Sequence, residues 1–174
     1  TKVLVFQKMS RAVTDKDWAT VIPSAEEVIQ MYADDKTNKL YLTARYMLVA
    51  SHYQLGDYAK VVETARALLD SGEMKAAEGK NALKPSEAAT YDNQVFYFLF
   101  DSYVRQAAQD PTMREKAVAL FDEYAAKYQT TDLTEAPLCD KLHYAAVAQL
   151  KYLYEHAKDD KTADAYRDRA LQLC

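Results

Sequence analysis

Apolar side chains recur along this chain at intervals of three and four, the spacing that gives a helix one continuous apolar stripe. Residues 2–14 place Val5, Met9, Ala12 and Val13 on one side. Asp15-Lys16-Asp17 then makes a turn and an acidic start for a helix over about 17–33, in which Pro23 is expected to bend the axis. The pattern resumes over Lys39–Leu55 and Asp57–Ser71, each run followed directly by glycine, Gly56 and Gly72, the usual residue just past a helix end. Residues 73–85 break the rhythm and are punctuated by Gly79 and Pro85. They read as an insertion with one short helical turn, mobile for want of an apolar face to anchor it. Ser86 and Glu87 open a helix to about Ala108 through the apolar block Val95–Val104, and Asp110-Pro111 separates it from a partner over 112–128. Thr134, as a cap, and Pro137 start a long helix to about Ala157, and Asp159-Asp160-Lys161 turns the chain into a last one ending at Leu173. The expected fold is all-α: one domain, 1–174, of four antiparallel helix hairpins over about 2–33, 39–71, 86–128 and 134–173, with an insertion at 73–85.

Composition agrees. Only 3 Gly and 4 Pro occur in 174 residues, too few for a loop-rich fold, and no Asn-Gly or Asp-Gly hairpin turn is present. A net charge of −4, with lysines and arginines scattered among acids, weighs against nucleic acid as a partner. No stretch of about eighteen apolar residues suits a membrane span, so a soluble chain, cytoplasmic or periplasmic, is expected. The chain opens on Thr1 without a signal-peptide layout, which fits a segment of a longer protein as well as a processed chain.

Residues 17–29 and 57–69 nearly repeat one another. Asp17/Asp57, Ala19/Ala59, Val21/Val61 and Ala25/Ala65 are identical, and Trp18/Tyr58, Ile22/Val62, Val28/Leu68 and Ile29/Leu69 are conservative pairs. A fixed period of this length marks a stacked helical-repeat protein, in which each unit buries its apolar face against its neighbours. Small residues such as Ala65 and Ala117 let helix backbones approach closely.

The second hairpin resembles a tetratricopeptide repeat. Leu48, Tyr53, Gly56-Asp57-Tyr58, Val61, Ala65 and Leu68 stand where that motif has its large residues, its turn and its small crossing residues. In the third hairpin Phe96, Leu99 and Tyr103 match the first helix, and Ala117, Phe121 and Tyr124 the second, across a longer connection. The first hairpin matches loosely, with Trp18 for the turn tyrosine, and in the last Val147, Leu150, Tyr154, Ala163 and Ala170 keep the outline. Val49 and Phe100 replace the usual small residue of the first helix, and the period of forty exceeds the family's usual unit. The resemblance implies a right-handed superhelical stack, an α-solenoid, whose first helices line a concave groove.

In that register the groove positions are Thr43, Tyr46, Ala50, Tyr53 and Gln54; Gln94, Tyr97, Asp101, Val104 and Arg105; and Tyr152, Glu155 and His156. Tyr46, Tyr53, Gln94, Tyr97 and Arg105 would form the central peptide-binding surface. The 14 tyrosines have two readings, filling gaps between hairpins or offering rigid amphipathic contact area to a peptide. Tyr46 and Ala50 stand where some family members clamp a partner's terminal carboxylate with Lys and Asn, so that clamp is missing.

Nothing points to catalysis or to a metal or other cofactor. His52, His143 and His156 share no ligand spacing, and no Cys-x-x-Cys pair, Gly-rich phosphate loop or Gly-x-Ser-x-Gly elbow occurs. Cys139 and Cys174 fall at the same end of the last hairpin with a mismatch of about 9 Å at 1.5 Å per residue. Two free thiols are expected, a bridge being the alternative. The sequence thus reads as a protein–protein interaction scaffold. Alternatives are a sensory or regulatory segment of a larger protein and a homo-oligomerisation module.

Overall fold

A computed structural model describes residues 2–75, 77–128 and 139–173. It is all-α: α1 (Lys2–Thr14), α2 (Trp18–Met31), α3 (Lys39–Gln54), α4 (Tyr58–Ser71), α5 (Pro85–Gln106), α6 (Thr112–Tyr128), α7 (Cys139–Glu155) and α8 (Asp160–Leu173). Among the described residues the only extended pairing is an isolated bridge between Asn38 and Ala82. The chain divides into two compact units at Leu99/Phe100, within α5.

In the first unit the sequence repeat is also a repeat of backbone geometry. Lys16 and Gly56, forty residues apart, both take the left-handed conformation, with φ of 56° and 75°. The next residue is the N-cap in each case, Asp17 at φ −83°, ψ 72° and Asp57 at φ −82°, ψ 70°. The side chain of each accepts from the amide three residues on, Thr20 and Lys60, both at 3.2 Å. Asp17 N–H donates to Ala12 O at 2.9 Å and Asp57 N–H to His52 O at 3.0 Å, the long closing bond of a Schellman C-cap. One turn of three residues, 15–17 and 55–57, therefore ends a helix and starts the next, which folds each hairpin antiparallel.

The core of this unit is aliphatic and small. Met9, Ala12, Val21, Ala25, Val28 and Ala44 are buried together, with Trp18, Leu40, Met47 and Leu48 packed around them. Val61, Ala65 and Leu68 are fully buried on α4. α2 continues through Pro23, and Ser24 Oγ donates to Thr20 O at 2.9 Å.

The connection from α4 to α5 differs from expectation. Its described residues contain no helical turn, and the segment is not short of anchors. Met74 and Leu83 are buried at 6% and 1% exposure, and Lys39 N–H donates to Asn81 O at 2.6 Å. Glu73 accepts from Tyr41 Oη at 3.2 Å and Arg45 Nη1 at 2.9 Å, and pairs with Lys36 at 3.0 Å. Two apolar pegs and a carboxylate held by α3 replace the missing stripe, so the premise for a loose insertion is corrected.

In the second unit α6 packs on α7 and α7 on α8. Ala117, Leu120, Phe121, Tyr124, Leu142, Ala146 and Leu150 are buried. No residue of α8 is buried. Ala163, Tyr166, Ala170 and Leu173 are half-buried on it, and polar contacts add to the packing: Tyr166 to Glu115, Arg169 to Asp122, and His143 to the carbonyl of Leu173. Asp159 caps it, accepting from Thr162 N–H at 2.8 Å. Thr134 and Pro137, read as the start of the seventh helix, and Cys174 lie outside the described residues.

Candidate functional site

A polar and aromatic row joins α3 to the first part of α5. At one end the Lys39 ammonium donates to Glu87 at 2.5 Å. That hydrogen bond, above all, raises the lysine pKa and holds the carboxyl below its usual range. Next along, the Tyr46 ring stacks on Tyr91 with centroids 4.3 Å apart and planes 8° from parallel, and its hydroxyl donates to Gln94 Oε1. Burial, reinforced by Tyr91, pushes the Tyr46 phenol up to about 12. Further on, Tyr53 stacks on Phe98 at 4.5 Å and meets Tyr97 at 6.3 Å and Tyr58, edge on, at 6.1 Å.

The local reasons are helical. Tyr46 and Tyr53 are seven residues apart on α3, and Tyr91, Gln94 and Phe98 follow an i, i+3, i+7 stripe on α5, so each set shares a face. Ala50, 6% exposed, is the small residue between the two α3 rings. Thr43, 8% exposed, leaves its hydroxyl without a hydrogen-bond partner.

Four of the five residues expected to form the binding surface thus come together: Tyr46, Tyr53, Gln94 and Tyr97. All four are half-buried, in two pairs, Tyr46 with Gln94 and Tyr53 with Tyr97. Arg105 lies in the second unit, on the last turn of α5, where it is exposed and pairs with Asp101 at 2.5 Å. Tyr91 and Phe98, which complete the row, were missed by sequence reasoning. Their spacing from Gln94 was the signal.

The remaining groove candidates are local. Tyr152 lies between the Arg114 guanidinium, 3.6 Å from its ring centre, and His156, stacked at 3.9 Å. Arg114 also donates to Gln149 at 2.5 Å. Glu155 pairs with Lys151 at 3.8 Å. His52 is buried with Nδ1 3.9 Å from Asp57. Among the described residues no group of His, Cys, Asp and Glu could hold a metal ion, and no helix is long and apolar enough to cross a membrane.

A scan against protein-family models found no matching family, and searches of curated proteins and of solved structures found no match to the chain. The resemblance of the α3–α4 hairpin to a tetratricopeptide repeat therefore rests on its own residues.

Proposed function

We propose that this chain is a protein-interaction module, a tetratricopeptide-like stack of helical hairpins with right-handed superhelical order. It takes an extended peptide or a helix of a partner along the α3–α5 tyrosine row. One observation carries the reading: the row of half-exposed aromatic rims at Tyr46, Tyr53, Tyr91, Tyr97 and Phe98, with Gln94 among them. Tyrosine rims give a partner large contact area with few rotors to freeze, and hydroxyl and amide groups fix its orientation. A row already locked by its own packing binds without losing much side-chain entropy. No catalytic role is assigned.

Capture from native lysate tests this with three proteins: wild type, Tyr97→Ser and the surface control Lys8→Ala. A partner held by wild type and the control but lost by Tyr97→Ser, with thermal unfolding showing all three folded, supports the row as the contact surface. The same captured set from all three overturns it. A second reading, self-association, draws on Val3 and Leu4, 60% and 62% exposed on α1. Light scattering that finds a monomer at high concentration excludes it.

A further inference from the structure

The helix that carries the tyrosine row also floors a second concavity. Ile29, Gln30 and Glu26 of α2, Leu48 and Arg45 of α3, and Glu63, Thr64 and Ala67 of α4 enclose a cleft of about 450 Å³. Leu48 comes two residues after Tyr46 and five before Tyr53. At about 100° per residue it lies roughly 140–160° around α3 from both rings.

Chemistry varies across this cleft. Ile29 and Leu48 are half-buried and Ala67 is exposed, so the floor is apolar and still reached by solvent. Arg45 contributes no free charge, because Nη1 donates to Glu73 and to Tyr41 Oη, each at 2.9 Å. The opposite rim is acidic. Glu63 holds the Lys60 ammonium at 2.8 Å, and the lysine's pKa is raised by Glu63 first and, more weakly, by Asp57 and Glu26. Glu26 makes no ion pair of its own among the described residues.

We propose that this cleft is a second docking site, for a peptide segment carrying a branched aliphatic side chain next to a lysine or arginine. The aliphatic group covers Ile29, Leu48 and Ala67, as burial of exposed apolar surface favours. The adjacent cation pairs with the exposed Glu26 carboxylate, on which Lys60 acts only weakly, a complementarity that fixes direction and excludes acidic segments.

The test is a titration of the intact chain, followed by amide shifts, with the capped tetrapeptide Gly-Leu-Lys-Gly. Gly-Leu-Glu-Gly and Gly-Gly-Lys-Gly serve as comparators. Saturable shifts at Ile29, Leu48 and Ala67 with the first peptide alone are expected. Ala67→Arg, at an exposed position that spares the fold, should abolish them, and E26Q should weaken binding about two- to fivefold. Absence of a saturable shift, an equal response to Gly-Leu-Glu-Gly, or shifts confined to the tyrosine row each overturns the proposal. The last outcome would leave the α3–α5 reading standing.

Discussion

The α1–α2 and α3–α4 hairpins share one turn and differ in what they display. Their caps agree to within two degrees in φ and ψ, and the repeat-related alanines Ala25 and Ala65 are both fully buried. Yet Tyr46, Ala50 and Tyr53 of the second hairpin correspond, forty residues back, to Phe6, Ser10 and Val13 of the first. The turn and the small core residues are shared, whereas these positions of the leading helix differ: Phe6 and Val13 pack against the buried core, and Tyr46 and Tyr53 stack on rings of α5. What makes the second hairpin the functional candidate is therefore side-chain chemistry on an invariant frame.

The sharpest way to break this comparison lies in the shared core. Ala25→Leu and Ala65→Leu each insert three heavy atoms at a fully buried position, and each should cost about 1–3 kcal/mol. If the hairpins are equivalent, chemical denaturation will return similar losses. A loss at one site and none at the other would show that the repeat is one of sequence only. On α3, Tyr53→Ala removes the ring packed on Phe98 and should cost about 1 kcal/mol or more. Tyr53→Phe keeps the stack and should lose less. An equal loss in both would place the hydroxyl, not the ring, at the centre of the contact.

The turn itself gives a smaller effect with opposite signs in the two hairpins. Lys16 occupies a left-handed position that Gly56 fills in the repeat. A side chain there costs about 1 kcal/mol through the contact of Cβ with the backbone. Lys16→Gly should therefore raise the melting temperature slightly and Gly56→Lys lower it.

Much of this frame was legible because it is local. Asp17, Asp57, Gly56 and Gly72 act within five residues of themselves in sequence, and periodicity places all eight helices. The anchoring of the 73–85 segment was not legible because its anchors are long-range. Glu73 meets Lys36, Tyr41 and Arg45, and no spacing rule relates those positions. Met74 and Leu83 are single apolar residues in polar surroundings, so they give no periodic signal. The tyrosine row was half legible: a helical register groups residues on one helix, whereas the pairing of Tyr46 with Tyr91 and of Tyr53 with Phe98 depends on how two helices meet.

That pairing leaves one trace that needs no substitution to see. The Tyr46 phenol is pushed up to about 12, by burial first and by Tyr91 second, whereas in the unfolded chain it titrates near 10. A raised pKa means that the folded state favours the neutral ring. This contribution to stability is complete below about pH 10 and is lost as pH rises through the folded value, because the unfolded chain ionises first. Tyrosinate absorbance of the folded protein should show two rings titrating late, Tyr46 and Tyr166, the latter held up first by its hydrogen bond to Glu115, and Tyr46→Phe should remove one of them. Denaturation midpoints of wild type should fall more steeply than those of Tyr46→Phe between about pH 10 and 12. At pH 7 the same substitution costs only the hydrogen bond to Gln94, about 1 kcal/mol. Were the late-titrating absorbance to be unchanged by Tyr46→Phe and removed whole by Tyr166→Phe, the α3–α5 seam would be open to water at Tyr46, and the row would be a looser surface than its stacking geometry describes.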